Sequence, residues 1–291
     1  MTNDVAIDSP RRVAVLGVGL LGGSVALSIR RTHPETVFVG WARSEQKREQ
    51  LLNLEVGGQS ILDDATTSFE EACDHCDVVV VATPVDLIAD VVQRAAACSP
   101  AGCLITDVGS TKAGIVESVM TDPVSAGKFV AAHPIAGSEK SGAQFSVETL
   151  FDQKTIVLTP HCQTPADRLA RAEAFWRATG GAIVQMTPEQ HDTHLAAVSH
   201  VPHLVSALVA KMTQADARPL VGSGWQDITR VAAGDPSMWT AICQENRAAI
   251  LAELERFSEE LGRLSGLLKG KDDHALADWL ANAKQIKEQT K

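Results

Sequence analysis

Three features of this chain have residue types and spacing suited to chemistry: a glycine-rich turn near the start, a serine in a later glycine-bearing loop, and a histidine followed by proline. Gly17-Val18-Gly19-Leu20-Leu21-Gly22 has the GxGxxG spacing of a dinucleotide-binding turn. It follows a short apolar run and opens a helix, the context that gives this pattern meaning. Gly17 permits the tight turn, Gly19 lets a pyrophosphate approach the backbone, and Gly22 lets helix and strand pack closely. The first helical turn, at Leu20 and Leu21, favours the anion. Thr83-Pro84, the DVGSTK loop with Gly109 and Ser110, and the His133-Pro134 loop stand at the ends of later strand-like runs. Ligands of open α/β sheets bind at such ends. An enzyme that oxidises an alcohol by hydride transfer needs a group to take the hydroxyl proton, and histidine is the commonest choice near neutral pH. His133 sits where that group is needed, with an expected pKa in the ordinary range of about 6.5.

The end of the second strand selects the cofactor. An acid there would bind the ribose hydroxyls of NAD. This chain has Ala42 in that position, inside Gly40-Trp41-Ala42-Arg43-Ser44. Without a carboxylate a 2′-phosphate is not repelled, and the Arg43 fork can pair with it, with Ser44, Lys47 and Arg48 nearby. The pattern favours NADP; if Arg43 is only a solvated surface residue, either cofactor fits. His191, His194, His200 and His203 form two HxxH pairs. Along one helix the pairs lie roughly 14 Å apart, too far to share an ion, so no metal is expected.

These groups need a scaffold. Runs at residues 12–16, 37–40, 77–82, 104–108, 129–132, 155–158 and 182–185 read as strands. Helical segments alternate with them, the pattern of a mostly parallel sheet. Val78-Val79-Val80-Val81 suits a strand buried on both faces. After Met186 the pattern turns helical, beginning with a capping box at Thr187-Pro188-Glu189-Gln190. Apolar residues at helical spacing from Met238 to Leu268 predict a long helix that packs on another helix. The expected fold is a Rossmann-type α/β domain over residues 1–186, then an all-α domain over 187–291.

The chain has 291 residues, 45% of them hydrophobic, enough for one large core or two ordinary ones. A net charge of −10 argues against a nucleic-acid partner. No apolar run is expected to reach bilayer-spanning length, and residues 1–10 lack a signal-peptide pattern, so a cytoplasmic protein without a membrane partner is expected. Cys73 and Cys76 form a CxxC with no second pair, and read as packed thiols. The absence of tyrosine excludes dehydrogenases whose proton donor is a Tyr–Lys pair.

The segments GVGLLGGS, ATPV, DVGSTK, HPIAGSEKSG, EQHDTHLAAVSHVPH and DITRVAAGDPSMW, in this order from Gly17 to Trp239, resemble the prephenate/arogenate dehydrogenase family of tyrosine biosynthesis. The resemblance implies oxidative decarboxylation of a ring alcohol with hydride transfer to NAD(P). It implies that His133 is the general base and that Ser110 contacts the hydroxyl or steadies His133. Arg230 would bind a substrate carboxylate, His203 would contact the substrate with His200 in support, and Ser138 and Glu139 would lie near its polar end. It also implies a homodimer built through the helical domain, which the apolar stripe from Ile242 to Leu264 independently suggests. Two other readings fit the layout. One is a hydroxyacid or imine dehydrogenase, though these carry a catalytic lysine on the first helix of the helical domain, where this chain has histidines and that helix's first lysine is Lys211, late in it. The other is an NADP-sensing binding protein, which would have no use for His133, Ser110 and Arg230 together.

Overall fold

The structure is a computed structural model that describes residues 9–137 and 140–290. Ten strands are present: β1 (Arg12–Leu16), β2 (Val37–Trp41), β3 (Glu55–Val56), β4 (Gln59–Ser60), β5 (Asp64–Thr66), β6 (Val78–Val81), β7 (Leu104–Asp107), β8 (Phe129–Pro134), β9 (Thr155–Thr159) and β10 (Ala182–Gln185). Eight make one sheet in the order β10-β9-β8-β7-β6-β1-β2-β5, while β3 and β4 form a separate hairpin. All neighbours in the large sheet run parallel except β8 and β9. The chain leaves β1 toward β2 and β5, then returns to place β6 on the other side of β1. The carboxyl ends of β1 and β6 therefore flank a topological switch point, where open sheets bind ligands.

The four valines of β6 are fully buried, as expected for a strand covered on both faces. Alternate residues feed two cores. Val13, Val15, Val78 and Val80 join one with Phe38 and Trp176; Ala14, Leu16, Val79 and Val81 join the other with Phe69 and Ile88. Cys73, Cys76 and Cys103 are free, buried thiols in the second core. Burial pushes the Cys76 thiol up to about 11 and the Cys103 thiol to about 12, so both stay protonated. β5 was not anticipated: its three residues, Asp-Ala-Thr, carry no apolar run, and it is held as an edge strand by pairing with β2.

Past β10 the described structure is helical. Thr187 caps the helix Pro188–Leu195 with the expected capping box, Gln190 returning the bond. The helix continues through a π-helical turn, Ala196–His200, into Val201–Met212. Pro202 explains the wide turn, because it has no N–H for the carbonyl four residues back and its ring crowds that position. The whole run, Pro188–Met212, has 25 residues and mean hydropathy 1.3. By length and composition it could cross a membrane, which corrects the expectation that no segment reaches that length. Here it packs against the helix Ala113–Met120 of the sheet domain, with His191, Asp192 and His200 buried and hydrogen-bonded.

The long helix expected from Met238 to Leu268 is broken at Asn246 into Pro236–Glu245 and Arg247–Gly270. Asn246 is buried and non-helical, and its side chain is committed to two hydrogen bonds to the helical run Pro188–Met212, at the Asp192 carbonyl and at His200 Nδ1. A last helix covers Asp273–Gln289.

Candidate active site

The glycine turn has the backbone that its spacing implies. Gly17 adopts φ +103°, and a Cβ there would lie 2.5 Å from the Ala82 carbonyl oxygen, so only glycine fits. A Cβ on Gly22 would lie 2.5 Å from the Gly17 carbonyl and 2.9 Å from Val15, which is the close helix–strand approach. A Cβ on Gly19 would meet nothing within 4 Å, leaving open space above the turn. The helix Leu20–Thr32 begins with no side-chain cap and no acid in its first turn. Its first N–H groups, at Leu20, Leu21 and Gly22, therefore lack intrahelical acceptors and favour an anion. These residues fit a dinucleotide pyrophosphate.

The neighbouring groups are less uniform. Thr83 has a buried hydroxyl without a hydrogen-bond partner, beside exposed Pro84. Gly109 is buried, and its N–H donates to Asp107 Oδ2 at 2.8 Å. Ala42 is buried, whereas Arg43 and Lys47 are exposed at the mouth of β2. Ser44 is the N-cap of the helix Glu45–Leu52, its Oγ accepting from Lys47 N at 3.2 Å.

His133 lies near the carboxyl end of β8, half-buried. Asp107, at the end of β7, accepts the N–H of Ala132 at 2.9 Å and so fixes the backbone beside it. Asp107 also pairs with Lys112, both fully buried. Burial pushes the Lys112 ammonium down and the adjacent carboxylate holds it up. His133 Nδ1 lies 2.8 Å from His191 Nε2, and His191 Nδ1 lies 2.7 Å from Asp192 Oδ1. Asp192 also accepts the N–H groups of Lys112 at 2.8 Å and Ala113 at 2.9 Å, tying the helical run to the sheet domain. Burial, then the nearby His191, Lys112 and His200, push His133 well below the usual histidine range. Its ring is therefore neutral over a wider pH interval than the ordinary value implies.

His200 is buried, and its Nδ1 sits 3.0 Å from Asn246 Nδ2. Asn246 Nδ2 also donates to the Asp192 carbonyl at 2.7 Å, which identifies that atom as nitrogen. His200 Nδ1 is then an acceptor, and its proton is on Nε2, buried beside the Ser110 backbone. Burial lowers its pKa to about 4. His203 stacks on Trp239 with ring centroids 3.5 Å apart, its Nδ1 unpartnered. The two rings help line a cavity of about 570 Å³ with Gly234, Cys243 and Arg247.

The structure thus gathers His133, Ser110 and His200, with His203 beyond them beside Trp239. Two expected contacts differ. His200 is bonded to Asn246 rather than to His203, and His133 is held by His191 rather than by Ser110. Arg230 is exposed on the short helix Arg230–Ala233 and makes no ion pair among the described residues. Ser138 and Glu139 lie outside the described residues. The sequence reading missed His191, Asp192, Asp107, Lys112 and Asn246. The pair His191-Asp192 was the available signal, a possible imidazole–carboxylate contact masked by the HxxH spacing.

Comparison with known proteins agrees with this arrangement along the chain. The prephenate dehydrogenase nucleotide-binding domain matches residues 25–185, and the prephenate dehydrogenase dimerization domain matches residues 187–282. The chain is 31% identical over 283 residues to prephenate dehydrogenase of Bacillus subtilis, covering 95% of this chain and 75% of that protein. It is 29% identical to cyclohexadienyl dehydrogenase of Zymomonas mobilis, covering 92% of each. The structure of Aquifex aeolicus prephenate dehydrogenase with hydroxyphenyl propionate and NAD+ superposes with a TM-score of 0.88 at 30% identity, over 97% of this chain and 98% of that one. The chain belongs to the prephenate dehydrogenase family, nicotinamide-dependent oxidoreductases of tyrosine biosynthesis with a nucleotide-binding and a dimerization domain.

Proposed function

We propose that this chain oxidises and decarboxylates prephenate or arogenate, with residues 1–186 holding the cofactor and residues 187–291 completing the substrate site. The observation that carries the reading is His133, held neutral at the end of β8 on the sheet edge that also bears the glycine turn. Gly17, Gly19 and Gly22, the N–H groups of Leu20 and Leu21, and the loops at Thr83-Pro84 and Gly109 would hold the dinucleotide. Bound there, the nicotinamide would supply the hydride acceptor.

In this reading His133 Nε2 takes the proton of the ring alcohol as its carbon loses hydride. A weakly acidic alcohol cannot give up hydride without losing that proton, so the base sets the rate. The resulting ketone draws electrons from the breaking carbon–carboxylate bond, and aromatisation makes loss of carbon dioxide irreversible. Ser110 bonds the same hydroxyl. His200 Nε2–H and His203, both neutral near pH 7, offer uncharged polar contacts. Arg230 pairs with a substrate carboxylate.

The cofactor preference belongs to the same proposal. The solved Aquifex aeolicus relative carries NAD+. In this chain the acid position is Ala42, and the exposed Arg43 and Lys47 can pair with a 2′-phosphate, so NADP is used at least as well as NAD. We also read the chain as a homodimer through its helical half, in keeping with the match to a dimerization domain.

The test is one assay matrix. Purified protein is mixed with NAD+ or NADP+ and with prephenate or arogenate, and the reduced-nicotinamide absorbance is followed. Turnover of either substrate supports the reading. No turnover of either, with the cofactor bound, would sink it, and a strong preference for NAD+ would overturn the role given to Arg43.

A further inference from the structure

We infer that His191 is a positioning residue whose ring, anchored by Asp192, fixes the tautomer of His133 so that its Nε2 lone pair faces the substrate. The inference rests on the proposed role of His133 and adds a cause for it.

The argument runs through the hydrogen atoms. Asp192 receives three donors: the N–H groups of Lys112 and Ala113 and the His191 ring. The two backbone groups can only donate. Their position at the start of the helix Ala113–Met120 also favours a negative charge. Asp192 is therefore the acceptor toward His191, and the His191 proton sits on Nδ1. A neutral His191 then has a bare lone pair on Nε2, the atom 2.8 Å from His133 Nδ1. His133 must carry its proton on Nδ1 to fill that contact. This leaves His133 Nε2 unprotonated, and a general base requires that state at the atom facing the substrate.

The rest of the surroundings does not compete for this contact. Lys112 is engaged with Asp107, and His200 Nδ1 with Asn246. These groups and Asp192 are the charged or titratable neighbours facing the histidine pair among the described residues. Asp107 holds the backbone next to His133, whereas among the described residues the ring is held by His191. The two imidazoles meet edge to face, with centroids 5.0 Å apart and an interplanar angle of 64°. Such an edge contact directs one nitrogen at another and does not simply fill space. The logic parallels the serine-protease triad, where a carboxylate selects the histidine tautomer and a wrong tautomer costs about 10⁴-fold in kcat.

The test separates tautomer control from packing. His191→Leu removes the acceptor, and His191→Gln supplies a carbonyl oxygen near the place of Nε2. We expect His191→Leu to lower kcat by about 10²-fold or more, with KM and cofactor affinity little changed. His191→Gln should recover most of that loss. Ring-nitrogen NMR, with His133 assigned through His133→Asn, should show the Nδ1–H tautomer in the wild-type protein and in His191→Gln. An Nε2–H tautomer of His133 in the wild-type protein would overturn the inference, and so would a His191→Leu enzyme with wild-type kcat. If His191→Leu does not fold, the wild-type and His191→Gln spectra still decide. A wild-type protein inactive on both prephenate and arogenate would remove the proposed function, yet the tautomer measurement would stand by itself.

Discussion

The two halves of the molecule bury their apolar residues differently. In the sheet domain each face of the sheet feeds a continuous core, and the largest fully buried side chains include Trp176, Phe38, Phe69, Phe129 and Phe151. The helical half has a small core of its own: Ala196, Val201 and Ile250, with partly buried neighbours. Its 24-residue helix, Arg247–Gly270, buries only Ile250, and the helix Asp273–Gln289 buries no residue. Leu251, Phe257, Leu261 and Leu268 are exposed along the first of these. A helix roughly 36 Å long cannot be held by one buried side chain, because most helix stability in proteins comes from packing an apolar face. The sheet domain closes on itself, and the helical half is built to be closed by something else. Where they meet, Ala241 and Ile242 pack into the second sheet core, and Asp192 joins the two backbones.

The largest expected effect tests whether the chemistry belongs to the sheet domain. His133→Asn keeps a hydrogen bond but cannot take a proton. It should lower kcat by about 10²- to 10⁴-fold with substrate still bound. In the wild-type enzyme, kcat/KM should stay level as pH falls through 6.5 and drop only at more acid pH, because the His133 pKa is pushed well below its ordinary value. This replaces the sequence-based expectation of a limb near 6.5. A near-normal kcat in His133→Asn would move the base elsewhere, with His203 the next candidate.

The second effect tests the open face of the helical half. Leu261→Glu places a charge in the exposed stripe. In a two-fold dimer the change counts twice, so losing about 1.5–3 kcal/mol per site should weaken association by 10²-fold or more. Light scattering across a concentration series reads it. A wild-type monomer at micromolar concentration would leave that stripe without an explanation.

A third test lies at the junction. His133, His191 and His200 all have depressed pKa values, with burial the largest cause in each. A histidine depressed in the folded state binds fewer protons there than in the unfolded chain. Stability therefore rises with pH and is fully present above the unfolded value of about 6.5. For His200 the loss should run from about 6.5 down toward its folded value of about 4. Denaturant midpoints across that window should fall, and should fall less in His200→Gln. A flat profile would mean that the junction opens to water before these rings are charged.

How much of this was legible in the sequence follows from how local each signal is. The strands and the glycine turn were legible because period, turn residues and the switch from strand to helix lie within a few residues. Gly17 was readable for the same reason. The His133–His191 contact was not, because it joins residues 58 positions apart on different domains. On a regular helix, nine residues at about 100° each would put His200 on the face opposite His191. The π turn before Pro202 changes that phase, and both rings are buried at the junction. The break at Asn246 was hidden for a similar reason: its cause is a tertiary hydrogen bond to the Asp192 carbonyl, while the apolar spacing on either side stays helical.

The fourth effect concerns substrate binding from the helical half. Arg230→Ala should raise KM by about 10- to 100-fold, matching a loss of about 1.5–3 kcal/mol from a charged hydrogen bond, with cofactor affinity unchanged. Arg230 is exposed and unpaired among the described residues, so the contact must form on binding. Equal losses for substrate and cofactor would indicate damage to the fold instead.

The smallest effect sharpens the comparison from the side of the sheet domain, where the proposed contact to a 2′-phosphate lies at the rim. Arg43 is exposed and its neighbour Ala42 is buried, so position 42 brings no carboxylate to repel a 2′-phosphate. An exposed ion pair contributes about 1 kcal/mol at most, since water screens it and the long side chain loses freedom. Arg43→Ala should therefore weaken NADP binding by about five-fold, and this loss should shrink as salt is raised. NAD binding, which offers no 2′-phosphate, should not move. Titrating both cofactors at two salt concentrations separates the outcomes. A parallel loss for NAD and NADP would assign Arg43 to the turn after β2 rather than to the phosphate, and the choice between cofactors would pass to Lys47.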